Sequence, residues 1–318
     1  MSDSPAFSGQ DPTYDTWRHA IVDVKDVVII GAGPSGIATA IQLKRYNIEP
    51  VLLEQEGIGG LLRNANLVEN YPGFPEGIRG LDLVELFKKQ LENAGVRVTF
   101  ERVLKIEYRD EVFFTKTNRE VFTSSIAVIA TGTKPRKISD LPISDDIKDR
   151  LFYEIYPILG IKNKKIAIIG TGDAAFDYAL NLSQKNEVII LSRNERTNCI
   201  PVLRERCMKC ENISYLCNVS VKEINNECLK VLLTCTHNDR QEKIQIGSDY
   251  VIFAIGRVPR LDILGQELKK SYERFRKANK LYMVGDVKNG IYRQTAICVG
   301  DGLKAAMEIF RNTGKNSI

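Results

Sequence analysis

Two strand–turn–helix units, with the glycine-rich turns GAGPSG at 31–36 and GTGDAA at 170–175, predict an α/β protein. Each turn follows a short β-branched run and opens an amphipathic helix, and a further apolar run closes each unit. Such a pair predicts two Rossmann-like dinucleotide-binding domains. A third observation sets their order along the chain. Two similar strand-to-basic-segment crossings, SSIAVIATGTKPR (124–136) and SDYVIFAIGRVPR (248–260), bracket the second unit. The second domain is therefore expected as an insertion into the first. The outer domain takes residues 25–134 and 258–318, and the inner one takes 135–257.

The elements follow in order. Residues 1–24 lack periodicity and are rich in Ser, Asp, Pro and Gly, which fits a flexible tail, an arm over the surface or an added leader. The first βαβ unit is DVVIIGAGPSGIATAIQLKRYNIEPVLLE (26–54). A helix follows in LDLVELFKKQLENAG, then alternating strands in VRVTFERVLKIEYRDEVFFTKT, then the first crossing. The second unit is KKIAIIGTGDAAFDYALNLSQKNEVIILSR (164–193). After the return crossing come a charged helical stretch, GQELKKSYERFRKANK, and the closing strand and helix of LYMVGDVKNGIYRQTAICVGDGLKAAMEIF.

Composition bounds the reading. The chain has 318 residues, 43% hydrophobic and 27% charged, enough for two cores. A net charge of +5 is mild; it favours an acidic partner slightly and does not predict nucleic-acid binding. Apolar runs such as DYVIFAIG are too short to span a bilayer, and the polar N-terminus has no apolar leader region. Seven cysteines, an odd number, point to a reducing compartment, and a cytoplasmic protein is expected.

The turns carry the chemistry. Gly31 allows the tight strand-to-helix turn, Gly33 lets backbone approach a pyrophosphate, and Gly36 lets the helix pack closely on the strand. Pro34 and Ser35 start the helix, whose N–H groups and dipole favour an anion. Glu54 closes the unit where an acid can accept from ribose hydroxyls. The second turn reads G-x-G-x-x-A through Gly170, Gly172, Asp173, Ala174 and Ala175. Its closing strand ends in LSRNER instead of an acid. Arg193, with Arg196 nearby, suits a 2′-phosphate and so favours NADPH over NADH; otherwise Arg193 is a solvated loop residue. Near the C-terminus, Gly285 and Asp286 end a strand and RQTA (293–296) opens a helix. That acid suits ribityl hydroxyls and that helix start suits a flavin carbonyl, or the segment is an ordinary capped helix.

Taken together, GAGPSG, GG (59–60), VENYPGFPEGIRG (68–80), ATG (130–132), GTGDAA, GD (285–286) and GIYRQTA (290–296) resemble the low-molecular-weight thioredoxin reductases over residues 25–312. The resemblance implies an FAD-binding outer domain, an inserted NAD(P)H-binding domain and a homodimer. It places Gly60, Leu61 and Asn70 at the flavin, Asn70 beside the isoalloxazine. Ala130, Thr131, Gly132 and Gly256 fall at the crossings, Asp286 at the ribityl chain, and Arg293, Gln294, Thr295 and Ala296 at the pyrimidine end. Departures are equally specific. Leu61 replaces the usual Gln, the basic trio after the second unit is reduced to SRN, and a hairpin between GRVPR and VGD is missing.

The largest departure lies just upstream of Gly170. By resemblance the redox C-x-x-C falls on Tyr153 and Tyr156, and the acid after it on Pro157. Tyrosine has no exchangeable sulfur, so dithiol chemistry at the flavin is not expected. Neither histidine, His19 or His237, replaces it. The tyrosines cover the isoalloxazine and gate the nicotinamide, or they pack between domains. The expected activity is hydride transfer from NAD(P)H to FAD, with electrons passing to an acceptor that meets the flavin directly. The related ferredoxin–NADP reductases of this fold make ferredoxin the leading acceptor. The basic runs 162–165 and 269–280 would face it, or they are solvated helix faces.

Six of the cysteines fall within 199–235, including Cys207 and Cys210 in CMKC, read as sharing one helix face. They are incidental free thiols, a relocated redox pair, or, with Cys199 and Cys217, a metal or iron–sulfur site; no metal is carried into the leading reading. The relocated pair would make the protein a disulfide reductase. A further alternative is a flavin-binding sensor with little turnover.

Overall fold

The computed structural model describes residues 24–314. The tail expected at the N-terminus, apart from Val24, and His19 within it lie outside the described residues. The chain divides into two compact units. One holds the described parts of Met1–Gly60, Phe87–Gly132 and Pro259–Ile318; the other holds Leu61–Leu86 and Thr133–Val258.

The first unit is built on β1 (Val24–Ile30), α1 (Pro34–Arg45) and β2 (Pro50–Glu54), the expected βαβ arrangement. The part of helix α2 (Gly80–Asn93) from Phe87 on belongs to this unit and leads into β3 (Val98–Phe100), β4 (Val103–Arg109), β5 (Val112–Thr117) and β6 (Val121–Ile129). The strand order is β3-β2-β1-β6-β5-β4. β1 runs parallel to both β2 and β6, placing their carboxyl ends along one edge. The long β6 is shared. Its first half pairs antiparallel with β5, and Ala127–Ile129 pair parallel with β17 (Leu281–Met283). Val27 to Ile30 are buried on both faces of the sheet, as an apolar run in a covered parallel strand must be. Val28 and Ile30 pack with Ile106, Phe113, Phe275 and Leu281. Helix α1 packs closely on the C-terminal helix Thr295–Asn312, where a Cβ at Gly302 would lie 2.2 Å from the Ser35 carbonyl oxygen.

Between Pro259 and Leu281, where a hairpin is expected to be missing, two short helices, α5 (Gln266–Lys270) and α6 (Tyr272–Lys277), occupy the chain. Each buries one apolar residue, Leu268 and Phe275, and exposes the basic side chains that the sequence singles out.

The second unit has its own parallel sheet. β7 (Thr133–Pro135) and β8 (Leu151–Phe152) precede β9 (Lys165–Ile169), helix α3 (Asp173–Leu182), β10 (Glu187–Leu191), helix α4 (Pro201–Met208) and β11 (Ile213–Leu216). β12 (Val219–Glu227), β13 (Lys230–His237) and β14 (Lys243–Ser248) form an antiparallel sheet before β15 (Tyr250–Phe253) returns to the parallel one, and β16 (Arg257–Pro259) pairs with β7. The parallel order is β11-β10-β9-β15-β8. Alternation along β9 feeds two cores. Ile166 and Ile168 pack with Phe176 and Ala179 of α3, while Ala167 packs with Val231, Leu233 and Ile246 of the antiparallel sheet.

Leu61–Leu86, which the sequence reading keeps in the outer domain, groups with the second unit instead. Side chains fasten it there. Asn64 Oδ1 accepts the Ile155 and Tyr156 N–H groups at 3.0 and 2.9 Å, and Asp177 Oδ2 accepts the Asn66 N–H at 2.9 Å. Arg206 forks onto Glu69 at 2.6 and 2.8 Å.

Candidate functional site

In the first unit, the β1–α1 turn forms a cradle at the carboxyl edge of the sheet. Gly31 adopts φ +107°, and a Cβ there would lie 2.4 Å from the Ala130 carbonyl oxygen. Gly36 is tighter, since its Cβ would meet the Gly31 oxygen at 1.9 Å. At Gly33, by contrast, a Cβ would meet nothing within 4 Å, so the backbone there faces open space at the helix start. Pro34 takes the first helical position, Gly33 precedes it, and α1 has no acid in its first turn. An uncovered positive helix end beside an open backbone fits a pyrophosphate.

Glu54, buried at the end of β2, holds this turn together. Its Oε2 accepts the Ala32 N–H at 2.8 Å, and Oε1 accepts N–H groups from Gln55, Glu56 and Gly57. The acid expected to receive ribose hydroxyls thus also organises the cradle. Gly59 donates its N–H to the Ala32 oxygen at 2.8 Å, bringing Gly60 against Gly33. The crossing is also tied into the unit: Ala130 N–H donates to the Ile30 oxygen, Thr131 Oγ1 to the Arg260 oxygen, and Arg260 N–H to the Gly132 oxygen.

The end of β17 reaches the same cradle. A Cβ at Gly285 would lie 2.6 Å from Ser35 Oγ, and Ser35 Oγ donates to the Val284 oxygen. Asp286 follows in a short 3-10 turn, ahead of helix α7 (Thr295–Asn312), which has Gln294 as its N-cap and no acid in its first turn. Thr295 and Ala296 open that helix, and Arg293 precedes its cap. Two acid-free helix starts, α1 and α7, with Glu54 and Asp286 at strand ends, form a set of donors and acceptors that fits FAD: amides that donate to phosphate and carbonyl, and carboxylates that accept from hydroxyls. The sequence reading missed Cys298 and Asp301 of α7, which brace the Asp286 turn. Their only trace in the sequence is a place one and two turns into a helix whose N-terminus is the expected binding element.

The second cradle repeats the first within its own unit. Gly170, at φ +147°, would place a Cβ 2.3 Å from the Ala254 oxygen, and Gly172 again faces open space. Ala175 stands where the first turn has its third glycine, fully buried with its methyl accommodated. Asp173 heads α3 but turns aside, with Oδ1 accepting the Ile200 N–H at 2.8 Å, and Ala174 beside it is exposed. Ser192 replaces the acid of the first unit. It is buried and paired with the Asn194 backbone, and Arg193 is exposed one residue on. An open backbone with no carboxylate at the strand end fits a nucleotide carrying a 2′-phosphate. Gly256 sits on the return crossing, its oxygen accepting the Arg136 N–H.

The two tyrosines separate. Tyr153 is half-buried, its ring 5.3 Å from that of Phe253, and burial pushes its phenol above the ordinary value. Tyr156 is exposed, with Arg63 stacked 4.5 Å over its ring. Leu61 lies three residues before Asn64, whose amide donates to the Leu61 oxygen, and Asn70 is exposed in the loop closed by the Val68–Ile78 bridge.

The cysteine readings are narrowed. Cys207 is buried at the end of α4, and its thiol donates to the Phe176 oxygen. Cys210 lies beyond the end of that helix, not on it, and reaches Ser183. All seven cysteines are free thiols. Among the described residues no three His, Cys, Asp or Glu side chains converge to hold a metal, so Cys199, Cys207, Cys210 and Cys217 form no ligand set there. Among them, too, no helix is long and apolar enough to cross a membrane.

Residues 25–302 match the pyridine nucleotide-disulphide oxidoreductase family, and the chain belongs to it. It is 28% identical over 309 residues to the thioredoxin reductase of Chlamydia pneumoniae, covering 91% of this chain and 98% of that protein. The thioredoxin reductase of Lactococcus lactis superposes with a TM-score of 0.82 at 28% identity, covering 91% of this chain and 98% of that one. The bacillithiol disulfide reductase Bdr of Bacillus cereus shares the fold, with a TM-score of 0.71 at 21% identity over 91% of this chain and 98% of that one. Fold and family together define a thioredoxin reductase-like, FAD-dependent oxidoreductase that uses NAD(P)H.

Proposed function

We propose that this enzyme works without a dithiol beside its flavin and delivers electrons from the flavin straight to its acceptor, a ferredoxin-like protein. One observation carries the reading: Tyr153 and Tyr156 stand where the resemblance places the reactive cysteines, and a phenol cannot undergo thiol–disulfide exchange. The remaining sulfur supports it. Burial, with Cys199 and Cys210 nearby, pushes the Cys207 thiol up to about 12, and a buried protonated thiol is a poor nucleophile.

Bound FAD and NADPH supply the hydride transfer and the onward release of two electrons. The chain's own residues bind and orient. In this reading the unit around Gly31, Gly33 and Gly36 holds FAD, with Glu54 on the adenosine ribose, Asp286 on the ribityl chain and the amides of Gln294–Ala296 at the pyrimidine end. The unit around Gly170, Gly172 and Ala175 holds NADPH, with Arg193 and Arg196 on the 2′-phosphate. Tyr156, fixed by Asn64 and covered by Arg63, fills the place of a reactive sulfur with an inert ring. The exposed Lys269, Lys270, Arg274, Arg276 and Lys277 favour an acidic partner, although Arg276 is partly neutralised by Glu273. A homodimer, by resemblance, and a cytoplasmic location, from the odd number of cysteines, complete the reading.

A second reading, a disulfide acceptor, is favoured by the thioredoxin reductases among the relatives. Anaerobic mixing with NADPH or NADH, followed by ferredoxin or thioredoxin, separates the two. The proposal expects rapid flavin bleaching by NADPH and reoxidation by ferredoxin. Reoxidation by thioredoxin that is lost in Cys207→Ser would establish the relocated pair instead, and no bleaching by either nucleotide would leave a sensor.

A further inference from the structure

Helix α7 grips the Asp286 turn with two side chains spaced one turn apart. Asp301 takes the flanks: its Oδ2 accepts the Gly285 N–H at 3.1 Å and Asn289 Nδ2 at 2.7 Å, and its Oδ1 meets Lys288 Nζ at 2.9 Å. Cys298 takes the centre. Its backbone N–H is spent on the Gln294 oxygen at 3.0 Å, which leaves the thiol to act through its side chain. That thiol is buried and donates to Asp286 Oδ1 at 3.1 Å. The contact also explains why residue 285 is glycine, since a Cβ there would crowd both Ser35 Oγ at 2.6 Å and Cys298 Sγ at 3.3 Å.

We propose that Cys298 is a positioning residue for the flavin site, its thiol fixing the Asp286 carboxylate so that Oδ2 is presented to a hydroxyl of FAD. The inference rests on the reading that Asp286 meets the cofactor. Burial, with Asp286 and Asp301 nearby, pushes the thiol upward in pKa, so it remains a donor at neutral pH. A carboxylate free to rotate would have to be ordered on binding, whereas one already held is not.

The test measures FAD affinity on apoprotein, read by quenching of flavin fluorescence, for wild type, Cys298→Ser, Cys298→Val, Asp286→Ala and the Cys298→Val/Asp286→Ala double variant. Cys298→Val fills the space without a donor and should weaken FAD binding about tenfold, as loss of a hydrogen bond to a charged group implies. Cys298→Ser keeps a donor and should stay within about threefold of wild type. In the Asp286→Ala background, Cys298→Val should change nothing further. Equal losses in both backgrounds, or wild-type affinity in Cys298→Val, would overturn the proposal. Should Asp286→Ala not fold, the Ser and Val variants decide alone, because equal affinities there contradict it. Wild-type affinity in Asp286→Ala would instead overturn the underlying reading of Asp286.

Discussion

The two cradles share one backbone design, and three of the registered positions at which they differ set them apart. In both, a Cβ on the first glycine would meet the carbonyl oxygen of the residue just past the neighbouring strand, Ala130 at 2.4 Å or Ala254 at 2.3 Å, and the second glycine faces open space. At the third position the first cradle has Gly36, with no room for a methyl group, and the second has a buried Ala175. At the strand end, Glu54, tied to four backbone amides, is matched by Ser192, since Leu53 and Leu191 accept the corresponding Gly31 and Gly170 N–H groups. Seven residues past the first glycine, Ala38 is matched by Asp177. The first cradle is closed around its turn by tight packing and a captive acid, as suits a resident cofactor. The second is looser and has no acid at its strand end, as suits a nucleotide that comes and goes.

The sharpest way to break this comparison is to exchange the third residues. Gly36→Ala should cost about 3 kcal/mol or more and release FAD, because the added methyl meets backbone that cannot yield. Ala175→Gly should cost only about 1–2 kcal/mol, from helix propensity and one lost buried methyl. Thermal unfolding of both variants, with flavin content, checks the pair; similar losses would mean that the cradles pack alike.

Asp177 gives the next effect. Its carboxyl faces the Asn66 and Leu67 amides, and burial raises it from 3.8 to about 6 despite those bonds. Because the folded state holds this proton more tightly than the unfolded one, the stabilisation is complete below about 3.8 and is lost as pH rises through about 6. Relative to Asp177→Asn, wild type should therefore lose about 3 kcal/mol of stability between pH 4 and 7, by the usual conversion of a two-unit shift. Denaturant unfolding across that range measures it. Parallel curves for the two proteins would show that the carboxyl is not enclosed.

The smallest effect concerns the rim. Arg193→Ala should raise KM for NADPH about tenfold and leave NADH unchanged, as expected for one lost charge-assisted contact. Equal changes with both nucleotides would remove Arg193 from the 2′-phosphate.

The elements of both cradles could be read in the sequence because their signals are local. Glycines at fixed spacing mark the turns, β-branched runs mark β1 and β9, and the strand ends fall where Glu54 and Ser192 stand. What escaped depends on distant pairings. Nothing near Asn66 announces Asp177, 111 positions away, so Leu61–Leu86 could not be assigned to the second unit from its own residues. Cys298 and Asp286 are only 12 positions apart, yet their bond exists because α7 doubles back over the turn, which no residue pattern states. The cysteine pair failed for a local reason: α4 ends at Met208, two residues before Cys210, so helical spacing does not apply there.

The central claim is that no sulfur shares electrons with the flavin, and an anaerobic reductive titration of the purified holoenzyme tests it most directly. Flavin alone accepts one electron pair, and a communicating disulfide adds a second. Titration with dithionite should therefore end after one pair per FAD, with no thiols gained on denaturation. Uptake of two pairs per FAD, with two new thiols appearing, would contradict the account.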